Sequence, residues 1–163
     1  MENRLDRIMG VMDVAFDPVF GEAWNRSQLF DALRSPNTHC LLMVGENCGL
    51  ADDFEDGPAA GFLLSRAAPG EEEILLLGVR PEHRRRGVGS RLMVDFKRQA
   101  QARGAERLFL EMRVNNPAEA FYRQHDFVPI GKRRDYYRQN DGTYLDAITF
   151  AHDMMATSTR LVG

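Results

Sequence analysis

ILLLGVRPEHRRRGVGSRLMVDFKRQA, residues 74–100, is the stretch of sequence that decides the fold. Its first six residues form an apolar run interrupted only by a glycine, which is typical of a β-strand buried on both faces. Pro81 ends that run, and apolar residues then recur at helical spacing as far as Ala100. The stretch therefore predicts a buried strand over Ile74–Val79, a glycine-rich turn, and a long amphipathic helix.

The turn between this strand and this helix has the composition of an anion-binding site. The first turn of a helix carries unpaired N–H groups and the positive end of a dipole, and glycines let a phosphate approach the main chain closely. Arg84, Arg85 and Arg86 add positive charge beside Gly87-Val88-Gly89. A solvated basic loop is the alternative interpretation. The turn is not a Walker loop, because no Gly-Lys-Ser/Thr follows, and Leu92 rules out the dinucleotide pattern G-x-G-x-x-G.

Outside this stretch, short apolar runs alternate with further amphipathic segments, which predicts a mixed α+β protein. We predict helices over Arg4–Ala15, from a cap at Asn25 or Ser27 to Arg34, and over Pro117–Gln124, and strands over Leu41–Val44, Ala59–Arg66, Leu108–Met112, Phe127–Ile130 and Tyr144–His152. Glu46–Pro58 is expected to be a loop, and Gly104 is expected to end the long helix. Gly78, inside the buried strand, indicates a bulge or a close approach of the backbone.

Length and charge limit the class of protein. A chain of 163 residues fits one domain, which we place at residues 1–155 with a loose tail over 156–163. The net charge of −3 gives no overall attraction to nucleic acid, so no direct nucleic-acid partner is expected. No apolar run reaches the length of a membrane span, and the charged N-terminus does not resemble a signal peptide. We therefore expect a cytoplasmic protein.

The cysteines and histidines also fit a cytoplasmic protein that binds no metal. Cys40 and Cys48 flank one predicted strand, so a disulfide is conceivable, but two reduced thiols in a cytoplasmic protein is the favoured interpretation. The four histidines are scattered without metal-ligand spacing, so we expect no metal.

The segment Leu77-Gly78-Val79-Arg80-Pro81-x-x-Arg84-x-x-Gly87-x-Gly89-Ser90 resembles the acetyl-CoA signature of the GNAT acetyltransferases, R/Q-x-x-G-x-G/A after an apolar strand. The resemblance implies acetyl-CoA as cosubstrate. It also implies the GNAT fold, with α/β/α layers and a mixed central sheet whose strands splay apart at the CoA site. Leu77 and Val79 would then offer backbone groups to pantetheine at an irregular strand edge around Gly78, and the Val79 N–H would polarise the thioester carbonyl. Backbone N–H groups of Arg85, Arg86, Gly87, Val88, Gly89 and Ser90 would hold the diphosphate, with Arg84 beside them.

A second segment, Phe109-Leu110-Glu111-Met112-Arg113…Asn115…Tyr122…Phe127, resembles the bacterial ribosomal-protein-alanine N-acetyltransferases. The resemblance implies that Glu111 acts as general base, that Tyr122 protonates the departing CoA thiolate, and that Asn115 contacts CoA. The residues alone leave alternatives open. Glu111 could form an ion pair with Arg113 or another arginine, since a buried carboxylate needs a partner, and Tyr122 could be a core aromatic.

This chain departs from that pattern in two places. Asn115 lies four residues after Glu111, where the family usually has five, so Glu111 could point differently. His125-Asp126-Phe127 stands where the family has Leu-Gly-Phe. Aspartate is one of the better substitutes for glycine in the left-handed conformation.

The C-terminal third carries the indication of the acceptor. Gly131-Lys132-Arg133-Arg134-Asp135-Tyr136-Tyr137, followed by Asp141-Gly142 and Asp146-Ala147-Ile148, resembles the Arg-Arg-Asn-Tyr-Tyr…Asp-Gly…Asp-Ala-Ile pattern of the ribosomal alanine enzymes. The resemblance implies a peptide groove lined by Tyr136, Tyr137 and Arg134, and a peptide N-terminus, most simply of a ribosomal protein, as partner. The alternative is that the tyrosines only cap the edge of the sheet.

Three functions therefore remain open at this point. The first is N-terminal acetylation of a protein. The second is acetylation of a small amine such as a polyamine, an amino acid or an aminoglycoside, for which the acidic stretch Asp52–Asp56 could contribute, although a solvated loop is the favoured interpretation of that stretch. The third is a non-catalytic module that binds acyl-CoA or contacts RNA. The base itself also stays open, because Glu73 could serve through a water molecule in place of Glu111.

Overall fold

The structure is a computed structural model that describes residues 2–44, 49–50 and 57–155. Cys48, the acidic stretch Asp52–Asp56 and the predicted tail over 156–163 lie outside the described residues. The predicted loop over Glu46–Pro58 also lies mostly outside them, but Gly49–Leu50 within it forms a short strand. Cys40 is a free thiol. No helix of the described part is long and apolar enough to cross a membrane.

The helices and strands follow the predicted order. In the described residues they are α1 (Glu2–Ala15), α2 (Arg26–Arg34), β1 (Thr38–Val44), β2 (Gly49–Leu50), β3 (Ala59–Ala68), β4 (Glu71–Val79), α3 (Val88–Ala102), β5 (Arg107–Arg113), α4 (Glu119–Gln124), β6 (Val128–Arg138) and β7 (Tyr144–Asp153), with short 3-10 helices over Pro18–Phe20 and Pro81–His83.

One mixed sheet runs through the molecule in the order β2-β1-β3-β4-β5-β7-β6. β4 and β5 are parallel, and the other neighbouring pairs are antiparallel. The parallel pair is joined through α3, as a parallel connection requires.

The sheet separates two apolar cores, so the molecule has the α/β/α layers that the GNAT resemblance implied. On one face, α3 and α4 bury Leu92, Phe96 and Tyr122 against the sheet. On the other face, α1 and α2 bury Ile8 and Leu29. Side chains of β3 alternate between the two cores, as expected for a central strand with period two.

Local signals fix several helix ends. Asn25, not Ser27, caps α2, because its side chain accepts from the Gln28 N–H while the Gln28 side chain accepts from the Asn25 N–H. Gly104 follows α3 with φ +93°. Asp126, where the related enzymes have glycine, adopts φ +63°, so it takes the left-handed turn that the sequence predicted there.

Several boundaries were predicted wrongly. β1 and β4 each begin three residues earlier than predicted, at Thr38 and Glu71. α4 begins at Glu119 and not at Pro117, which lies in the preceding turn. β6 was predicted to end at Ile130 but continues to Arg138. The charged run in its second half looks like a loop, yet β6 is an edge strand whose side chains are almost all exposed, and such strands tolerate charge.

Candidate active site

A cleft opens where β4 and β5 separate. The two strands pair only from Glu71 opposite Arg107 to Ile74 opposite Leu110. Beyond that point β4 runs on to Val79 and β5 to Arg113 without further pairing between them. The gap is part of a cleft of about 1330 Å³. One edge of β4 therefore presents main-chain groups to this cleft instead of to a neighbouring strand.

The irregularity that redirects β4 is at Leu75. Leu64 of β3 faces Leu76, but the next residue, Ser65, faces Ile74, so Leu75 is the extra residue of a bulge. The sequence left two interpretations of Gly78 open, a bulge or a close approach of the backbone. The bulge is wrong, since Gly78 pairs in register with Phe62. Gly78 is instead a close-approach glycine, because a Cβ there would lie 2.8 Å from the Phe62 ring.

The glycine turn forms the end of the cleft at the start of α3. Gly87 is the N-cap with φ +81°, and no side chain caps the helix. A Cβ added at Gly87 would meet no atom within 4 Å, so the space in front of the turn is open. Arg85 also has a positive φ, +60°, which adds to the curvature of the turn. The first N–H groups of α3, at Val88, Gly89 and Ser90, therefore lie at an open face with no side-chain cap.

The three arginines of the turn do different things. Arg84 donates from Nε to the Val79 carbonyl at 3.2 Å and from Nη2 to the Ala15 carbonyl at 2.8 Å, so its side chain ties the turn to β4 and α1. Arg84 and Arg85 contribute to the cleft lining, whereas Arg86 does not.

Glu111 is the first residue of β5 beyond the point of separation, and its side chain lines the cleft. Its Oε1 is 3.0 Å from Arg133 Nε and accepts from Thr149 Oγ1 at 3.3 Å. The Glu111 side chain is 15% exposed while that of Arg133 is 60% exposed, so the arginine approaches from the solvent side. The carboxylate is ion-paired, with Arg133 and not Arg113, and it also lines the cleft.

A second carboxylate, Glu22, lies in the same part of the cleft. Its Oε1 is 3.4 Å from Arg113 Nε and 3.4 Å from Asn116 Nδ2. Burial raises the pKa of Glu22, although the charge of Arg113 opposes that shift. The Arg113 guanidinium is stacked on the Phe20 ring at 3.5 Å from its centroid. The segment between α1 and α2 is thereby held against β5.

The Tyr122 side chain, on α4, belongs to the core beneath α3 and α4 and also lines the cleft. Its ring makes edge-to-face contacts with Phe121 and Phe127. Burial raises the pKa of the Tyr122 phenol, and the negative charge of Glu22 raises it further. The phenol therefore stays protonated throughout the physiological pH range.

Tyr136 and Tyr137 both line the cleft, although adjacent residues of a regular strand face opposite sides. The register between β6 and β7 explains this, because Arg133 faces Ala147 while Tyr137 faces Leu145, which leaves two extra residues in β6. The two rings meet edge to face with centroids 5.1 Å apart. The Tyr137 hydroxyl donates to the Glu111 carbonyl at 3.4 Å.

The bulge in β6 is stabilised from β7. Asp135 has φ +52°, and its N–H donates to Asp146 Oδ1 at 3.0 Å. Asp146 Oδ2 is 3.0 Å from Lys132 Nζ. Arg134, which the sequence placed in the peptide groove, is exposed and is not part of the cleft lining.

A family model for the acetyltransferase (GNAT) family matches residues 9–127, which is well over half of the chain. The chain belongs to the GNAT family of acetyltransferases.

Known GNAT enzymes extend the likeness across most of the chain. N-alpha-acetyltransferase RimI of Mycobacterium tuberculosis is 35% identical over 148 residues, which is 86% of this chain and 78% of that protein. A ribosomal protein bS18-alanine N-acetyltransferase of Escherichia coli is 32% identical over 98 residues, 60% of this chain and 66% of that protein. A crystal structure of a ribosomal-protein-alanine N-acetyltransferase from Escherichia coli matches with a TM-score of 0.76 over 94% of this chain and 90% of that chain, at 22% identity, which shows the fold.

Within this GNAT domain, the structure brings most of the predicted residues to one cleft. The lining includes Leu77, Gly78, Val79, Arg84, Arg85, Gly87, Val88, Gly89, Ser90, Glu111, Tyr122, Tyr136 and Tyr137. Glu73, the alternative base, also lines it, but Glu73 lies in the paired part of β4 and forms an ion pair with Arg66 at 3.1 Å.

The structure does not bring Asn115, the predicted CoA contact, into the cleft lining. Asn115 is exposed with φ +61° and is not part of the cleft lining, whereas its neighbour Asn116 is. Asn116 is five residues after Glu111, which is the spacing usual in the related enzymes, so the motif could have identified it. The Asn116 side chain also accepts from the Ala118 N–H at 2.9 Å and so organises the turn into α4.

Glu22, Phe20 and Arg113 are among the cleft residues that sequence reasoning missed. Phe20 and Glu22 fall between α1 and α2, where the sequence carries no motif that we used to predict the site. Arg113 was considered only as a partner for Glu111. Arg113 is the last residue of β5 and is buried, and a buried arginine is a signal that a carboxylate lies nearby.

Proposed function

We propose that this GNAT enzyme transfers the acetyl group of acetyl-CoA to the N-terminal α-amine of a protein, of the ribosomal-protein-alanine type, in the cytoplasm. The observation that carries the proposal is the convergence of Glu111, Tyr122, Tyr136 and Tyr137 on one cleft beyond the point where β4 and β5 separate. Relatives named as N-terminal and ribosomal-alanine acetyltransferases support the acceptor class.

The residues present fit acetyl-CoA. The open face at Gly87 and the uncapped N–H groups of Val88, Gly89 and Ser90 suit a diphosphate, because they combine main-chain donors with the positive end of a 15-residue helix. Arg85 supplies positive charge at the same place. The free edge of β4 suits the amide groups of pantetheine, which would pair with main-chain groups at Leu77 and Val79 as a neighbouring strand would.

The acceptor must present a neutral nitrogen to the thioester carbonyl. A free α-amine has a pKa near 7.8, so about one molecule in seven is neutral at pH 7, compared with about one in 2,500 for a lysine amine. One carboxylate is therefore sufficient for an α-amine. Glu111 takes that role in our proposal, because it is the first side chain on β5 past the separation and only 15% of it is exposed.

The reaction then follows from the positions of these groups. The amine nitrogen forms a bond to the carbonyl carbon, the proton it loses goes to the Glu111 carboxylate, and the carbon–sulfur bond breaks. Tyr122 donates its phenolic hydrogen to the departing sulfur. Since its raised pKa makes the phenol a reluctant acid, the proton moves only as negative charge accumulates on sulfur.

The tyrosine pair would hold the peptide. Tyr136 and Tyr137 line the cleft with two aromatic rings that meet edge to face, and each ring carries a hydroxyl group. Negative charge at Glu111 raises the pKa of Tyr136, and burial together with Glu22 raises that of Tyr137. Both phenols therefore stay protonated. The Tyr137 hydrogen is engaged by the Glu111 carbonyl, so its oxygen is left to accept from a main-chain N–H of the substrate.

The test is acceptor-dependent release of thiol from acetyl-CoA. We expect release with a peptide that begins with a free alanine, and none above background with the same peptide carrying a blocked α-amine and a free lysine. Two further assays are run, one with spermidine as the acceptor and one without any acceptor. Release with spermidine alone would show a small-amine acetyltransferase, and binding of acetyl-CoA without any release would show a non-catalytic module. Either result would contradict the proposal.

A further inference from the structure

Ser90 and His125 form a polar contact at the edge of the proposed diphosphate seat. Ser90 is the third residue of α3 and lines the cleft. His125 caps the C-terminus of α4, and its Nε2 lies 3.1 Å from Ser90 Oγ. The contact joins the beginning of one helix to the end of the next, beside the N–H groups that we assign to the diphosphate.

The His125 ring is held in this position from several sides. It packs on the Phe121 ring with centroids 4.7 Å apart. Phe121 in turn lines the cleft and lies against Gly89. Lys97 of α3 donates to the His125 carbonyl, which fixes the backbone of the same residue. The imidazole is therefore an oriented partner for Ser90 and not a freely rotating surface side chain.

The direction of this hydrogen bond decides what Ser90 offers to the cleft. A hydroxyl has one hydrogen and two lone pairs. If His125 Nε2 carries a hydrogen, it donates to Ser90 Oγ, and the Ser90 hydrogen is free to donate to an anion. If Nε2 carries none, Ser90 must donate to it, and Ser90 turns lone pairs toward the cleft. An anion in the cleft stabilises the first arrangement.

Protonation of His125 imposes that first arrangement, because both nitrogens of an imidazolium are donors. The charged groups that face His125 are Lys97 from α3 and Asp126 from the same turn. Burial lowers the pKa of His125, and Lys97 lowers it further while Asp126 opposes the shift. In the free protein the ring is thus neutral at pH 7, and acidification converts Nε2 into an obligatory donor.

We propose that His125 is a positioning residue for CoA, which acts by donating from Nε2 to Ser90 Oγ and so aims the Ser90 hydroxyl at a diphosphate oxygen. The inference rests on the proposed seat of the diphosphate at the start of α3. It goes beyond that seat by predicting that CoA affinity rises as the pH falls.

Titration calorimetry with dephospho-CoA tests the proposal. This probe keeps the diphosphate but lacks the 3′-phosphate, a monoester that would itself titrate near pH 6. We expect the wild-type Kd to fall about three- to tenfold between pH 8.5 and pH 5.5, the size of one ordinary hydrogen bond. His125→Leu and Ser90→Ala should each give a pH-independent Kd near the wild-type value at pH 8.5. His125→Gln supplies an amide donor that does not titrate and should bind tightly at every pH.

His83→Gln is the matched control, because His83 is a second histidine of the cleft lining. This variant should keep the wild-type pH dependence. A pH dependence that survives in His125→Leu, or disappears in His83→Gln, would overturn the role of His125. His125→Gln binding no more tightly than His125→Leu would do the same. If the wild type fails to bind dephospho-CoA at any pH, the diphosphate seat itself is wrong, and this inference is overturned with it.

Discussion

Gly89 is the residue at which a side chain would enter the proposed phosphate seat. A Cβ at Gly89 meets the Phe121 ring at 3.4 Å, an ordinary contact, so the backbone tolerates a small side chain there. A glutamate would place negative charge in front of the α3 amides. We expect Gly89→Glu to weaken CoA binding at least about a hundredfold, or about 2.7 kcal/mol, while circular dichroism stays unchanged.

Gly89→Ala is the control for steric effects alone. It should retain CoA affinity within about threefold, because the added methyl group makes only van der Waals contact. Equal affinity of Gly89→Glu and the wild type in titration calorimetry would show that the diphosphate binds elsewhere.

Glu111 is the residue on which the chemical step depends in our account. Glu111→Gln keeps the size of the side chain and its contact with Thr149 but cannot accept a proton. We expect kcat/KM for an alanine peptide to fall about 10²- to 10³-fold. The loss should be largest at low pH, where most of the amine is protonated and solvent hydroxide cannot replace the base.

Glu22→Gln and Glu73→Gln, measured over the same pH range, show whether another carboxylate is the base. We expect each to lower kcat/KM by no more than about tenfold, because neither is assigned the proton. A full rate in Glu111→Gln across pH 6 to 9, with a large loss in one of the other two variants, would transfer the role of base to that residue.

Residues that belong to a short local motif could be identified from the sequence. Glu111, Tyr122, Tyr136 and Tyr137 belong to short patterns and all line the cleft. Glu22 could not be identified in this way, because it reaches the cleft through a tertiary contact with Arg113, 91 positions further along the chain, and no spacing rule encodes such a contact. Asn116 directly follows the predicted Asn115 in the same motif, and of the two only Asn116 lines the cleft.

At the scale of elements, the bulge in β6 determines where the tyrosines point. Asp146 of β7 stabilises the bulge through the Asp135 N–H and Lys132. We expect Asp146→Ala to loosen the tyrosine pair and to raise KM for the peptide about tenfold, since small misplacements of binding groups are costly. The Kd for CoA should not change, because the diphosphate seat is at the other end of the cleft.

Asp141→Ala is the matched control. Asp141 lies in the β6–β7 connection and accepts hydrogen bonds from the N–H and the hydroxyl of Thr143, but it does not hold the bulge. Steady-state kinetics should show little change for it. An equal rise in KM for both variants would mean that the connection as a whole, and not the bulge, shapes the groove.

The positions of the strands and helices were easier to predict from the sequence than the positions of the bulges within the strands. The strand Ile74–Val79 and the helix that follows it are evident from hydrophobic period alone, and both are present. The bulge at Leu75 and the two extra residues before Tyr137 could not be located, because a bulge is defined by the register with a neighbouring strand that is distant in sequence. The second half of β6 was missed because an exposed edge strand lacks the apolar alternation of a buried one.

At the scale of the whole molecule, the sheet is shared by two separate cores. Leu92 belongs to the core under α3, and Leu64 belongs to the core under α1 and α2; both are fully buried. We expect Leu92→Ala and Leu64→Ala each to lower the free energy of unfolding by about 2–5 kcal/mol. For a chain of this length that corresponds to a fall in Tm of about 5–15 °C.

Val94→Ala controls for the change to alanine on α3, because Val94 is 57% exposed, and it should shift stability by less than about 0.5 kcal/mol. Since the two cores share β3 and β4, thermal unfolding followed by circular dichroism should remain a single transition in every variant. Two resolved transitions in either leucine variant would show that the faces of the sheet unfold independently.

The central claim is that one cleft, opened by the separation of β4 from β5, holds the thioester donor and the amine acceptor together. A crystal structure with a bisubstrate analogue, in which CoA is joined through an acetyl group to the α-amine of an alanine peptide, tests this most directly. We predict the diphosphate on the main-chain amides of residues 87–90, the sulfur within reach of the Tyr122 hydroxyl, and the alanine beside Glu111 and Tyr137. A diphosphate bound away from the start of α3, or an alanine remote from Glu111, would contradict the account.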